Sequence, residues 1–150
     1  MTDIKKELYQ QCLLYVQNRI DAAKHALEDA QEAVNEETKS SAGDKYETGR
    51  EMMQQETNRH QSQLNEANKL KVALSTISTG PSNGTIEPGS VVITDNGNFY
   101  LAISAGLITI NNDKYFAVSP ASPIGFKLKG LKLGNKFTLN EKSYLIEQVI

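Results

Sequence analysis

The fold is decided by residues 9–34, which read YQQCLLYVQNRIDAAKHALEDAQEAV. Apolar side chains recur here with spacings of 4, 3, 4, 3, 4, 3 and 4, at Tyr9, Leu13, Val16, Ile20, Ala23, Leu27, Ala30 and Val34. This alternation lines up one apolar seam along a helix and is typical of helices that pack against another helix. The stretch therefore predicts a long helix with a helical partner.

A second series with the same spacing but fewer apolar members follows, separated from the first by a cluster of turn-forming residues. Its members are Met53, Thr57, His60, Leu64, Ala67, Lys71 and Leu74. Residues 1–78 are therefore predicted to form an antiparallel coiled-coil hairpin with its tip near residues 38–47 and arms roughly 50 Å long. Leu8, Cys12 and Leu14 lie off the main seam and predict that the open end of the hairpin packs on the rest of the chain.

The composition changes after residue 80, because residues 81–150 contain all four prolines, all four phenylalanines and seven of the ten glycines. Residues 79–86 are predicted to be a linker, since they gather Gly, Pro, Ser and Asn. Residues 87–150 are predicted to form a small antiparallel β-rich domain. The β-branched and aromatic runs that indicate its strands lie at 90–94, 99–103, 114–118, 136–139 and 144–150. Ser122 and Pro123 predict the start of one short helix, so the expected fold class is α+β.

Composition and charge exclude several classes of function. A net charge of −2 argues against a general nucleic-acid binder, since such proteins carry a basic excess. No run approaches the roughly 20 apolar residues of a membrane span. The charged start Met1–Glu7 lacks the apolar core of a signal peptide, so a cytoplasmic location is expected, and the single Cys12 fits a reducing compartment. Residues 81–150 contain no His or Cys, which excludes Ser-His and Cys-His catalysis there.

The turn between the two helices carries the most distinctive chemistry. Asp44 and Glu47 lie three residues apart at the predicted start of the second helix, with Lys45 and Arg50 beside them. The simplest interpretation is a capping box, in which both carboxylates satisfy free backbone amides. Alternatively, two carboxylates one turn apart on a protruding tip can share a Mg²⁺ ion if a partner supplies the other ligands. Lys45 and Arg50 either balance the surrounding acids or steer the tip past nucleic-acid phosphates.

Several features occur together along the chain. A long hairpin with Gly-Asp-Lys-Tyr-Glu at residues 43–47 is followed by a linker near residue 80 and by Ser-Pro-Ile at residues 122–124. Leu128, Gly130 and Gly134 complete the pattern. In architecture and order, the chain resembles the bacterial transcript cleavage factors of the Gre family (GreA and GreB). The resemblance implies an FKBP-like C-terminal domain that docks at the rim of the secondary channel of RNA polymerase, and a coiled coil that passes through this channel.

By this resemblance, Asp44 and Glu47 help to hold the second Mg²⁺ ion of the polymerase and to orient the water that hydrolyses backtracked RNA. The protein itself binds no cofactor stably and is not an enzyme, because the polymerase performs the hydrolysis. The expected partner is RNA polymerase, with the RNA 3′ end reached indirectly by a monomeric factor that contacts no membrane. The residues assigned to partner binding are Lys45, Arg50, Ser122, Pro123 and Ile124.

Two departures from the family pattern leave alternatives open. The family tip usually reads Gly-Asp-x-Ser-Glu-Asn, whereas Tyr46 precedes and Thr48 follows Glu47 in this chain. Leu-Ile-Thr-Ile at residues 107–110 stands where an acidic Glu-Ala-Asp signature is expected. One alternative is a Gre-like channel regulator or inhibitor without cleavage stimulation. Another is a coiled-coil adaptor with a protein-binding domain unrelated to polymerase.

Two further groups of residues are open to more than one interpretation. His25 and His60 are either a metal pair across the hairpin or surface and seam histidines, and the second interpretation is favoured because no further ligands converge on them. A basic stretch near the C-terminus either contacts a partner or forms a solvated face alternating with apolar residues. Its members are Lys127, Lys129, Lys132 and Lys136.

Overall fold

The structure, a computed structural model, describes the backbone of residues 2–40 and 44–150 and the side chains of residues 4–35 and 49–150. Two long helices come first, α1 (Thr2–Ser40) and α2 (Asp44–Ser75). The elements that follow are β1 (Val91–Thr94), β2 (Gly97–Leu101), β3 (Gly106–Ile110), β4 (Asp113–Val118), α3 (Pro123–Leu128), β5 (Lys136–Leu139) and β6 (Lys142–Val149). The predicted α+β fold, a long N-terminal helical hairpin followed by a mostly antiparallel sheet, is confirmed.

The chain divides into two compact units. The first comprises Met1–Tyr15 together with Val72–Ile150, and the second comprises Val16–Lys71. The first unit therefore combines the start of α1 and the end of α2 with the sheet. The segment predicted to be a linker, residues 79–86, lies within this first unit, where Lys5 Nζ donates a hydrogen bond of 2.7 Å to the carbonyl oxygen of Gly80.

The second unit is the distal part of the hairpin, and its buried side chains follow the predicted seam. In α1 the seam residues Val16, Ile20, Ala23 and Leu27 are buried, and in α2 Thr57 and Ala67 are buried. The pairing is antiparallel, because Val34 lines a cleft with Thr57 whereas Ala23 lines one with His60. Thr57 is tolerated in the seam because its hydroxyl donates to the carbonyl oxygen of Met53 at 3.0 Å.

Lys71 departs from the predicted seam, since its side chain is exposed. A lysine at a seam position directs its ammonium group to water, because removing an unpaired charge from water costs about several kcal/mol of desolvation free energy.

The sheet has the strand order β3-β4-β2-β1-β6-β5. Neighbouring strands are antiparallel as predicted, except that β2 and β4 are parallel, with Phe99 opposite Phe116 and Leu101 opposite Val118. The exception arises from β3, which the sequence pattern did not predict. The chain leaves β2, forms β3 at the sheet edge and returns through a two-residue turn into β4, which lies between them. Asn111 and Asn112 occupy this turn with φ of 53° and 70°, values that Asn tolerates better than most residues.

The two faces of the sheet bury different side chains, because successive residues of a strand point to opposite sides. One face carries a core of Val92, Phe99, Leu101 and Ile146, closed by Leu128 of α3 and by Ile86. The residues that alternate with these, such as Val91 and Tyr100, are also at most 1% exposed. Both faces are therefore covered at the centre of the sheet, whereas Leu107 of β3 and Phe116 of β4 are about half exposed.

The start of α1 covers the face that contains Tyr100. Leu8 and Cys12 are fully buried, and both Tyr9 and Cys12 act electrostatically on the Tyr100 hydroxyl. The predicted packing of this end of the hairpin is confirmed for Leu8 and Cys12 and wrong for Leu14, which is 55% exposed. Residues four apart share a helix face, whereas Leu14 is rotated by about 200° from Cys12.

The buried hydroxyl of Tyr100 provides a stability prediction. It forms no hydrogen bond within the described part of the chain, and burial raises its pKa. An unsatisfied buried hydroxyl costs about 1 to 3 kcal/mol, so Tyr100→Phe is expected to increase the free energy of unfolding by about 1 kcal/mol. Urea denaturation followed by circular dichroism measures this change.

A matched control is Tyr144→Phe, which removes a hydroxyl from a half-buried ring stacked on Phe137 at a centroid distance of 4.8 Å. Its effect is expected to stay within about 0.5 kcal/mol, because water can solvate that hydroxyl. If Tyr100→Phe instead lowered the free energy of unfolding, the Tyr100 hydroxyl would have to form a hydrogen bond, which would contradict its unpaired state in the structure.

Candidate functional site

Asp44 and Glu47, the predicted tip pair, lie at the start of α2 in the sequence of that helix. The helix begins at Asp44, and Glu47 follows three residues later in the first turn. The free amides of a helix N-terminus carry a partial positive charge that stabilises carboxylates in this turn. The side chains of Asp44, Lys45 and Glu47 lie outside the described residues, so both the capping box and the shared Mg²⁺ ion stay predictions.

Arg50 is the member of the tip group whose side chain the structure describes. It lies in the second turn of α2 and is exposed to solvent. A guanidinium at this position is accessible to a partner's carboxylates or phosphates, which it can bind through two parallel hydrogen bonds.

The second candidate region is the loop that leads into α3, with Ser122 as the N-cap of that helix. The Ser122 hydroxyl accepts a hydrogen bond from the Gly125 amide at 3.1 Å and donates one to the Ser119 carbonyl at 2.6 Å. Both bonds hold the loop against the first turn of α3, as predicted from Ser122 and Pro123. Gly125 is required here, because a Cβ at this position would lie 1.9 Å from the Ser119 carbonyl oxygen.

The other predicted partner-binding residues of this loop differ in exposure. Ile124 is half-buried and packs against the core below α3, whereas Pro123 is exposed. Phe126 was not among the predicted site residues, yet its ring is 77% exposed, two positions after Ile124 on the opposite side of the short helix. An aromatic residue in the middle of a six-residue amphipathic helix was the signal that could have identified it.

Exposed lysines lie within α3 and in the segment that follows it. The four lysines of the predicted basic stretch are all exposed, whereas Leu128 between them is buried. Of the apolar residues that alternate with these lysines, Phe126 and Leu133 are exposed, so the pattern of a solvated face over a buried one holds only in part. We call the exposed side chains Pro123, Phe126, Lys127 and Lys129 the α3 surface.

The described part of the molecule offers neither a reactive cysteine nor a cluster of metal ligands. Burial raises the pKa of the Cys12 thiol to about 12, so it is protonated at neutral pH and unsuited to nucleophilic attack. The two ring nitrogens of His60 lie 3.3 Å from Glu56 Oε1 and 3.2 Å from Gln63 Oε1, both on its own helix. Among the side chains described, no three His, Cys, Asp or Glu residues come together in a way that could hold a metal ion.

Helix length and composition also bear on membrane insertion. Among the residues described, no helix combines the length and the apolar character that crossing a lipid bilayer requires.

In comparisons with known proteins, no protein family and no curated protein matches the chain.

Proposed function

We propose that the protein is a Gre-type bacterial transcription elongation factor. It binds RNA polymerase, inserts its helical hairpin into the secondary channel and stimulates the intrinsic Mg²⁺-dependent cleavage of backtracked RNA. The polymerase performs the hydrolysis, so the factor is not itself an enzyme, and it acts as a cytoplasmic monomer. The observation that carries this proposal is a long helical hairpin whose second helix begins with Asp44 and Glu47 in its first turn and which precedes a sheet domain.

The dimensions of the distal hairpin suit this task. In the unit Val16–Lys71, α1 continues from residue 16 to residue 40, which corresponds to a helix of roughly 37 Å. Its seam is narrow and contains alanine and threonine, so the two helices bury a modest apolar area. A slender element of this length can carry a chemical group into a channel that a globular domain cannot enter.

The donor set at the tip fits a shared Mg²⁺ ion. Mg²⁺ prefers carboxylate oxygens and commonly takes one or two of them, leaving its other positions to water or phosphate. Asp44 and Glu47, within one turn of helix, would supply this pair, and two carboxylates alone are too few to retain the ion. Bound in the polymerase, a second Mg²⁺ ion stabilises the attacking and leaving oxygens of the hydrolysis. The contribution of this chain is to present its carboxylates at that place and to hold the attacking water.

The C-terminal domain would supply the docking contacts. We assign docking to the α3 surface, with Ser122 and Ile124 holding the short helix in place through their contacts within the chain. Exposed aromatic and proline side chains beside lysines suit a partner surface that combines apolar and acidic groups. An FKBP-like fold for residues 87–150 belongs to the same proposal.

The alternative is a secondary-channel regulator that does not stimulate cleavage. Tyr46 and Thr48 favour it, because they replace the residues that usually flank the tip glutamate in the family. Both functions require polymerase binding and differ only in what the tip does at the active centre.

A backtracked elongation complex separates these possibilities. The purified protein is incubated with halted, backtracked complexes and Mg²⁺, and the release of short 3′ RNA fragments is followed on gels. Accelerated release supports cleavage stimulation. Competition with a known channel-binding factor without cleavage supports the regulator, and failure to bind polymerase would overturn both.

A further inference from the structure

Two Asn-Gly pairs occur in the chain, Asn83-Gly84 and Asn96-Gly97, and every other asparagine precedes a residue that has a side chain. Asparagine is chemically labile, and most so before glycine, because glycine has no Cβ to keep its backbone nitrogen away from the asparagine side-chain carbonyl. Both pairs belong to the unit that contains the sheet, but their surroundings differ. The difference indicates which pair reacts.

The surroundings of Asn83 favour attack on its side chain. Asn83 and Gly84 are both exposed and belong to no helix or strand. Asn83 Oδ1 accepts a hydrogen bond of 3.0 Å from the Thr85 amide, an arrangement that folds the side chain back over the peptide that follows it. The same amide would stabilise the negative charge that develops on Oδ1 when Cγ is attacked.

The two nitrogens that take part at this pair are held weakly. Asn83 Nδ2, the nitrogen that would leave, donates no hydrogen bond within the described part of the chain. The Gly84 amide, which supplies the attacking nitrogen, donates to Ser82 Oγ at 3.0 Å. Since Gly84 is exposed, water can replace this side-chain acceptor and remove the amide proton.

Asn96 lies in the turn between β1 and β2, where hydrogen bonds restrain the corresponding groups. Its Nδ2 donates to the Ser143 carbonyl oxygen at 2.6 Å, and its own amide donates to Thr94 Oγ1 at 3.1 Å. Gly97 is the register partner of Thr94, whose hydroxyl also donates to the Gly97 carbonyl oxygen at 2.6 Å. This turn must open before the Gly97 nitrogen can reach the Asn96 side chain.

We propose that Asn83 is a site of spontaneous deamidation. The Gly84 nitrogen attacks Cγ of Asn83, the bond from Cγ to Nδ2 breaks, and the Gly84 amide proton passes through solvent to the departing nitrogen, which leaves as ammonia. The product is a five-membered succinimide. Water opens this ring at Cγ to give aspartate, or at the main-chain carbonyl carbon to give isoaspartate. Water is the co-reactant, and nothing is oxidised or reduced.

The site lies in a turn that is fixed at both ends. Before it, the Gly80 carbonyl oxygen accepts a hydrogen bond from Lys5 Nζ, and after it, the amide of the buried Ile86 donates to the Leu131 carbonyl oxygen at 2.8 Å. Isoaspartate adds a methylene group to the main chain between these anchors and places a carboxylate where a neutral amide was. The reaction would therefore alter residues 81–84 and add a negative charge there. This site is separate from the hairpin tip and does not depend on the proposed polymerase function.

The test follows both pairs in the same sample. The full-length protein is incubated in mildly alkaline buffer made with heavy-oxygen water, and peptides are mapped over time by mass spectrometry. The peptide that contains residue 83 is expected to pass through a species lighter by one ammonia and then to incorporate one heavy oxygen atom. An isoaspartyl methyltransferase with a labelled methyl donor is expected to label the same peptide.

The rates at the two pairs test the structural argument. Asn83 is expected to react about tenfold faster than Asn96 or more, because a turn that costs roughly 1.4 kcal/mol to open slows a reaction by that factor. Thr94→Val removes the hydroxyl that restrains the second turn, so it is expected to accelerate Asn96 and leave Asn83 unchanged. Asn83→Gln is the matched control and is expected to abolish the product at residue 83, since its longer side chain would have to close a less favourable six-membered ring.

The proposal is overturned if Asn96 reacts as fast as Asn83. It also fails if Asn83 stays intact while a synthetic peptide of residues 81–87 deamidates completely, or if aspartate forms at residue 83 without isoaspartate, since direct hydrolysis gives aspartate alone. Circular dichroism of each variant establishes that it is folded, so a changed rate reports on the local geometry.

Discussion

Asp44→Asn combined with Glu47→Gln is expected to lower the stimulated rate of RNA cleavage in backtracked complexes by about 100-fold or more, a barrier change of roughly 3 kcal/mol. Both amides keep the size of the side chain and remove its negative charge, so the tip retains its bulk but loses two hard oxygen ligands. Cleavage rates are measured at saturating factor, and polymerase affinity is measured separately.

The separation of rate from affinity decides what this result means. The proposal assigns docking to the α3 surface, so the double variant is expected to bind polymerase within about threefold of the unaltered protein. Glu51→Gln is the control for charge, since this exposed carboxylate lies one turn further along α2. A cleavage rate that is unchanged in the double variant, or reduced equally by Glu51→Gln, would contradict the role of the tip pair.

The helical hairpin was predictable from sequence because its determinants are local. The alternating spacing of 4 and 3 places the apolar residues on the same side of a helix regardless of the rest of the chain. The burial of Ile20 and Leu27 therefore followed from spacing alone. The cap of α3 was equally predictable, because the hydrogen bonds of Ser122 join residues three positions apart.

The sheet was less predictable because strand order depends on contacts between distant residues. β3 was missed although Ile108, Thr109 and Ile110 are β-branched, because residues 107–110 do not alternate strictly between apolar and polar as a half-buried strand does. Its position beyond β4 in turn makes β2 and β4 parallel, which no local pattern specifies.

The candidate sites divide in the same way. The tip pair is a local motif, visible as Asp-x-x-Glu before the second apolar series. The exposure of Phe126, by contrast, depends on which side of α3 faces the core. Sequence spacing predicts which functional side chains share one helix or strand. It does not predict which side chains tertiary packing exposes or brings together.

Gly89→Ala is expected to destabilise the fold by about 3 to 5 kcal/mol, from a left-handed backbone conformation and a steric clash together. Gly89 has a φ of 101°, and a Cβ there would lie 2.4 Å from the Ser78 carbonyl oxygen and 2.8 Å from Ile77 Cγ2. No side-chain rotation relieves a clash with a backbone oxygen. The Gly89 amide also donates to the Leu101 carbonyl at 2.6 Å, so Gly89 cannot move away from Ser78 without straining its bond to β2.

Gly80→Ala is the matched control for this prediction, because the nearest atom to its Cβ would be Ser78 Oγ at 3.7 Å, an ordinary contact. The control is expected to change the free energy of unfolding by less than about 1 kcal/mol. Urea denaturation followed by circular dichroism measures both variants. Equal stability of the two variants would contradict the close approach of Ser78 to Gly89.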